Sequence, residues 1–349
     1  MTDNKITKLT QNDIVISSRI RLARNLKSYP FPHKLNDKGA EQTARIISDA
    51  VIAAGEECGK SFIKFDMSKL SPQEAVSFME RHYISPEFVT VSKNSNKKGR
   101  VVLLSSDNTI SVMVNEEDHI RIQVMGDGLS LRDAYTVADK LDTLISKRLD
   151  IAYDERFGFL TECPTNLGTG MRASVMLHLP ALTRTRTIDR ISANLNKLGF
   201  AIRGFNGEGS KSEGGIYQLS NQVSLGLTES GAVDNLYSVT NQLIEYERDA
   251  VKELVNDIYV KDSVFRSLGI LKYSRLITRE EAMSCLSDVR LGVAGGIVDC
   301  KVPSTDVFNR LLVDIQPATI VINHNCSAEN EPEIEEIRSE ILRKEFNDR

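Results

Sequence analysis

No apolar run in this sequence approaches the roughly 18 residues that cross a bilayer, and the N-terminal stretch MTDNKITKLTQNDIVISSR has no apolar signal core. A cytoplasmic protein with no membrane contact is therefore expected. Cysteine is sparse: Cys58, Cys163, Cys285, Cys300 and Cys326, with no Cys-x-x-Cys pair. That spacing supports no zinc site or other protein-held metal, and the odd count reads as reduced thiols in a cytosol. Charge of neither sign dominates, with 44 Lys+Arg against 48 Asp+Glu. Without a global cationic field, direct nucleic-acid binding is not expected. Internal repeats and low-complexity tracts are absent too. The 349 residues, 41% apolar and 26% charged, describe a soluble globular chain long enough for two domains.

Periodicity separates two regions. Ile46, Ile47, Ala50, Val51 and Ala54 recur at helical spacing within 37–58, and a strand-like FIKFD follows. Ser71-Pro72-Gln73-Glu74 is a capping box with proline at the first helical position, opening a helix towards His82. Val101–Leu104, Ile110–Val114 and Ile120–Val124 are β-branched runs broken by turn residues. Ser130 and Asp133 suggest a capped helix reaching about Leu149, and residues 172–179 read as a strand. A helix over 187–198, a strand over 200–205 and further short strands to about 227 follow. Adjacent strands without strict alternation predict an α+β fold with an antiparallel sheet. Beyond about Asn235 the β signal stops. Residues 235–258, 261–275, 279–291, 304–315 and 332–346 all read as helical, with a capping box at Thr278–Glu281 and a stop at Gly292. The division is placed at residue 245: an α+β part over 1–245, then an all-helical part over 246–349. The polar stretch 92–100, SKNSNKKGR, is expected to be a hairpin tip.

One motif misleads. Residues 54–61, AGEECGKS, fit a permissive phosphate-loop pattern. That motif needs a strand before the loop and a helix N-terminus after it, so that N–H groups face phosphate. Here a helix precedes and a strand follows, which presents the wrong end of the dipole. Gly55 and Gly59 are better read as a helix stop.

The informative signal is arginine at turns and strands. Ser17-Ser18-Arg19-Ile20-Arg21 places both arginines on one face if extended. Arg121 follows the acidic turn Asn115-Glu116-Glu117-Asp118-His119. Arg172 follows the glycine-rich stretch 166–170, and Arg203 opens Arg203-Gly204-Phe205-Asn206-Gly207-Glu208. Guanidinium forks match phosphate oxygens bidentately, and a triphosphate needs several. Cys163, beside a Pro/Gly-rich loop and an arginine, is a candidate for a lowered pKa.

Three blocks together, CPTNLGTGMR, SSRIRLAR and NEEDHIRIQ, resemble those of the phosphagen kinases, the ATP:guanido phosphotransferase superfamily. The resemblance covers about residues 14–245. The SSR block begins at residue 17, so the helical domain that precedes it in small-molecule phosphagen kinases is expected to be missing. RGFNGEG stands where those enzymes carry an RGTGG-type loop, and about a hundred helical residues follow. These departures resemble the bacterial protein-arginine kinases, a branch of the superfamily.

The resemblance implies a phosphagen-kinase-like catalytic domain over 1–245, and a helical domain for dimerisation and substrate docking over 246–349. It implies ATP as donor, with Mg2+ carried by the nucleotide. Ser17, Ser18, Arg19, Ile20, Arg21, His82, Arg121, the stretch Arg172, Ala173, Ser174, Val175 and Met176, and the stretch Arg203, Gly204, Phe205, Asn206, Gly207 and Glu208 would hold the nucleotide. Small-molecule members carry a histidine where Met176 stands. Glu117 and Glu208 would grip an acceptor guanidinium bidentately and accept its proton, with Cys163 as an orienting thiolate. Implied partners are protein substrates with accessible arginines, a zinc-binding activator protein, a heat-shock repressor, a Clp unfoldase and a second copy of the chain. Some members carry an RDxxRA phosphoarginine pocket. At that position this chain has residues 334–339, IEEIRS, where only Arg338 matches. The alternative readings are a kinase for small guanidino compounds and a non-catalytic adaptor that binds phosphoarginine or a repressor.

Overall fold

The computed structural model describes residues 11–89, 98–204, 212–298 and 302–347. Its strands are β1 (Val15–Arg24), β2 (Phe62–Asp66), β3 (Val101–Ser105), β4 (Ile110–Val114), β5 (Ile120–Asp127), β6 (Tyr153–Asp154), β7 (Gly158–Phe159), β8 (Met171–His178), β9 (Phe200–Gly204) and β10 (Ile216–Asn221). Eight of them form one sheet in the order β2-β3-β4-β5-β1-β8-β10-β9, and β6 pairs with β7. The neighbours from β2 through β5 to β1 are antiparallel. The expected α+β class with an antiparallel sheet is therefore found.

The helices are α1 (Gln11–Ile14), α2 (Asp37–Glu57), α3 (Pro72–Glu80), α4 (Pro86–Val89), α5 (Leu131–Ser146), α6 (Pro180–Arg184), α7 (Thr187–Lys197), α8 (Glu229–Leu254), α9 (Ile258–Tyr273), α10 (Arg279–Ala294), α11 (Thr305–Asp314), α12 (Pro317–His324) and α13 (Glu331–Asn347). The chain clusters into two compact units. One comprises Ser17–Ser174 and Ser220–Tyr237; the other comprises the rest.

In the first unit, β3 and β4 are buried along their whole length, as their unbroken apolar runs require. The α2 helix starts at Asn36, whose side chain accepts from Gly39 N–H, and buries Ile47, Ala50, Val51 and Ala54. Gly59 follows with φ +72, a left-handed stop that glycine adopts without strain. Helix first and strand after is the order that disqualifies a phosphate loop. The capping box at Ser71 forms in full, with Ser71 and Glu74 each accepting the other's N–H. The α3 helix then packs with α4 over Met67, Ala75, Ile84, Phe88, Val102 and Met113. Ser130 precedes α5 without capping it by its side chain; its own N–H donates to Ser18 Oγ instead, at 3.0 Å.

The second unit holds the helical end of the chain. Thr278 accepts from Glu281 N–H to start α10. That helix runs past Gly292 and stops at Gly295. Gly292 is instead a close-packing position, because a Cβ there would meet Val264 Cγ1 of α9 at 2.3 Å. The α12 helix was not expected. Its apolar run has no polar face to reveal a period. The α8 helix runs unbroken through residue 245. Its Glu247 is buried and accepts the N–H groups of Ala181 and Leu182, at 2.8 and 2.9 Å. Residues 92–97 of the expected hairpin tip lie outside the described residues.

Candidate functional site

The first unit brings most of the expected arginines onto one face of the sheet. Along β1, Ser17, Arg19 and Arg21 are half-exposed, while Ser18, Ile20 and Leu22 are buried. Strand alternation makes this split, as the sequence suggested. In the β1–β5 register Arg21 faces Gln123 and Ala23 faces Arg121. Arg121 thus shares the face of Arg19 and Arg21, and the small Ala23 side chain opposite leaves room for it. On β8, Ser174 Oγ accepts from Arg19 Nε at 3.3 Å, which draws that strand's Arg172 into the group.

The electrostatics agree. Burial, then the charges of Arg121 and Arg172, lower the Arg19 pKa to about 10. Burial and the charges of Arg19, Arg121 and Arg172 lower that of Arg21 well below its usual value, against a pull from Glu116. Guanidinium groups stay protonated at neutral pH, so four cations repel one another here. A multiply charged anion would relieve that repulsion. His82 ends the α3 region with φ +60 and joins this group. Burial, then the charge of Arg19, lower its pKa to about 4, so the imidazole is neutral at physiological pH. Its carbonyl accepts from Gln123 Nε2 at 2.6 Å.

The acidic turn between β4 and β5 completes the cationic face. Asn115 has φ +57, and its side-chain amide donates to Ala40 O, Thr43 Oγ1 and Gly99 O. The two glutamates then diverge. Glu116 is buried, with Arg121 Nη1 at 2.5 Å and the Ser85 hydroxyl donating to it. Glu117 is half-exposed, with Arg121 Nη2 at 3.3 Å. Burial raises the Glu117 pKa, opposed by Arg121 and reinforced by Asp118, Glu116 and Glu162. A carboxylate pushed towards neutrality is a better proton acceptor.

Asp118 ties this turn to the cysteine loop. Its Oδ1 accepts from Asn25 Nδ2 at 2.6 Å and from Glu162 N–H at 2.9 Å. Glu162 precedes Cys163, whose Sγ lies 3.0 Å from Thr165 Oγ1. Cys163 is half-buried and unpaired, as are Cys58 and Cys326; Cys285 is buried and also free.

Not every expected residue reaches this face. The Ile20, Ala173 and Val175 side chains are fully buried, and Ser18 is used internally, donating to Gly128 O at 2.7 Å. Val175, Met176, Arg203 and Gly204 belong to the other unit, where Arg203 lies half-exposed near the end of β9. Phe205, Asn206, Gly207 and Glu208 lie outside the described residues. Sequence reasoning missed Glu116, Asp118 and Gln123. Glu116 was legible as the other half of an adjacent glutamate pair. Gln123 carried no signal, because its importance comes from the strand beside it.

A family model for the C-terminal catalytic domain of ATP:guanido phosphotransferases matches residues 43–250, and one for the protein-arginine kinase McsB C-terminal domain matches 257–349. The protein-arginine kinase of Caldanaerobacter subterraneus subsp. tengcongensis is 43% identical over 88% of this chain and 90% of its own. That of Brevibacillus brevis is 43% identical over 95% of this chain and 92% of its own. The chain belongs to the protein-arginine kinase family. It is therefore a phosphotransferase of the guanido class. Among solved structures, the duplicated taurocyamine kinase of Schistosoma mansoni matches with TM-score 0.59 and 25% identity. That match covers 78% of this chain and 41% of the duplicated one. Lombricine kinase matches in fold, with TM-score 0.58, 23% identity and 70% of each chain covered. No helix among the described residues of this protein-arginine kinase family member is long and apolar enough to cross a membrane.

In the second unit, Arg338 is buried and donates to Ile315 O at 2.8 Å and Ile277 O at 2.9 Å. The one residue of IEEIRS that matches the RDxxRA pattern thus holds the carbonyls just after α11 and just before α10.

Proposed function

We propose that this protein transfers the γ-phosphoryl group of MgATP to the guanidinium of arginine side chains in proteins. The observation that carries this reading is the pairing, in one unit, of a four-arginine cluster with the Glu116-Glu117 turn and, through Asp118, the Cys163 loop. Arg19, Arg21, Arg121 and Arg172 would bind the triphosphate and stabilise the charge that spreads over the transferring phosphoryl. Neutral His82 would lie against the nucleotide without adding to the repulsion. Mg2+ would enter with the nucleotide.

On the acceptor side, Glu117 and Glu208 would hold the guanidinium in line and one would take its proton as the N–P bond forms. Cys163 would orient the acceptor. The raised pKa of Glu117 supports the base role. Glu116 would instead hold Arg121 in place. Ser17, Ser18, Ile20, Ala173, Ser174, Val175 and Met176 would frame the nucleotide strands. By the family resemblance, Arg203, Gly204, Phe205, Asn206, Gly207 and Glu208 would also serve the nucleotide. Residues 1–245 would be the catalytic domain, and 246–349 the dimerisation and docking domain. The match of 257–349 to the protein-arginine kinase C-terminal domain supports that assignment.

The wider role follows the same family. It comprises marking proteins for Clp-type degradation, inactivating a heat-shock repressor and answering to a zinc-binding activator, in the cytoplasm and as a homodimer. The test offers labelled MgATP with an arginine-rich unstructured protein or with free arginine. Acid-labile label on the protein alone is expected. Label on free arginine, or in neither tube, overturns the reading.

A further inference from the structure

Arg24 closes the SSRIRLAR block but does not join the arginine cluster. With Ile20 and Leu22 it points to the buried side of β1, and it is 1% exposed. All five of its N–H groups are used. Nε and Nη2 grip Asp142 of α5, at 3.0 and 2.7 Å. Nη2 also reaches Glu229 Oε1 at 3.1 Å. Nη1 donates to Ala23 O at 3.0 Å and to Thr169 O at 2.9 Å. The guanidinium plane lies 3.5 Å from the centroid of the Phe159 ring.

Two of these contacts bear on the segment that carries Cys163 and Arg172. Thr169 sits three residues before Arg172. Phe159 is bound to the same loop, its N–H donating to Gly168 O at 2.8 Å. Next to them, Gly170 O accepts from Ala23 N–H at 2.8 Å. Gly170 has φ +61, and a Cβ on it would meet Ala23 O at 2.7 Å and Arg24 Nη1 at 2.8 Å. The loop therefore fits against Arg24 with no space between them. Its other half is held separately, by Ser224 Oγ to Thr165 O and Leu167 O at 2.9 and 2.7 Å.

We propose that Arg24 is a positioning residue, a buried fork that locks the Cys163–Arg172 loop to α5 and the start of α8, so that the acceptor-side thiol and the nucleotide-side arginine stay in mutual register. The inference rests on the phosphotransfer reading above for its consequence, though not for its geometry. A fork is required. Lysine keeps the charge but cannot grip Asp142 bidentately, reach Thr169 O and lie flat on Phe159 at once. Displacing reacting groups by about 1 Å costs on the order of 100-fold in rate.

The test compares wild type, Arg24→Lys and Gly170→Ala. The last variant sets a Cβ against Ala23 O and Arg24 Nη1 and so pushes the loop off Arg24, while both Arg24 and Asp142 are kept. The readouts are melting temperature, kcat and KM for MgATP, and the rate at which Cys163 is alkylated by iodoacetamide, with Cys58 as internal control. Both variants are expected to lose roughly 10- to 100-fold in kcat with a smaller change in KM. Their Cys163 alkylation rate is expected to depart severalfold from wild type while that of Cys58 does not. A lower melting temperature with kcat and Cys163 reactivity unchanged would make Arg24 a stabilising residue only and overturn the proposal. If Arg24→Lys does not fold, Gly170→Ala decides on the same two readouts. If wild type transfers no phosphoryl to protein, the reaction reading falls, and the Cys163 comparison, which needs no substrate, still decides whether Arg24 places the loop.

Discussion

Asp118 Oδ1 accepts the N–H of Glu162 across 44 positions of chain. This bond joins the neighbour of Glu117 to the neighbour of Cys163. Asp118 is itself buried, its other acceptor contact at Oδ1 coming from Asn25. Replacing it with alanine removes the acceptor of the Glu162 N–H and one of the two acceptors of Asn25 Nδ2, whose other is Leu160 O. Asp118→Ala should therefore lower kcat by about 10- to 100-fold through misplacement of the acceptor groups. Affinity for MgATP, measured by calorimetry, should change far less. An unchanged kcat in a folded variant would refute the link.

The two glutamates of the turn should respond differently. Glu117→Gln should cut phosphoryl transfer by about 100-fold or more by removing the base, with ATP affinity nearly intact. Glu116→Gln should instead loosen Arg121 and raise the KM for ATP, because it breaks a buried ion pair. Steady-state kinetics on both variants would separate the roles. Matching effects on kcat and KM would mean that the pair acts as one unit.

Arg172→Lys should be crippling despite conserving charge. A point charge cannot reproduce the bidentate fork on phosphate oxygens. Equilibrium binding of MgATP and single-turnover transfer are the measurements, and near-normal values in both would remove Arg172 from the site.

Glu247 makes a pH prediction. Burial raises its pKa to about 7, opposed by the N–H groups of Leu182 and Ala181. In the unfolded chain it titrates near 4.5. Between those values the folded state binds the extra proton, so stability falls as pH rises. The loss amounts to roughly 3 kcal/mol, at about 1.36 kcal/mol per pH unit. Below 4.5 the contribution is fully present, and above 7 it is gone. Urea unfolding of wild type against Glu247→Gln from pH 4.5 to 8 should show the wild-type curve falling relative to the variant. Parallel curves would refute the shift.

Much of the fold was legible because local signals agreed. The Ser71 capping box, the β-branched runs at 101, 110 and 120, and the period of α2 each specify their element within a few residues. The failures have physical causes. Ser130 with Asp133 looks like a capping pair, but the N–H that Asp133 would accept is claimed by Ser18, a residue 112 positions away. Gly292 looks like a helix stop, but it is needed small against Val264. In both cases a tertiary contact overrode a local preference.

At the candidate site the sequence by itself marked the chemistry. Arginines at turns and strands, Glu117 and one thiol in a Pro/Gly-rich loop can be read directly, and the resemblance of three blocks to the phosphagen kinases pointed to a guanido phosphotransferase. What only tertiary structure decided was the division of labour among them. Arg19 and Arg21 face the site while Arg24, in the same block, turns inward to Asp142. Glu116 is consumed by Arg121 and Ser85 while Glu117 remains half-exposed. Strand alternation gives each side chain a face, but which face becomes core depends on the strands and helices that cover it. That covering is made of residues a hundred positions apart, whose pairing no local spacing encodes.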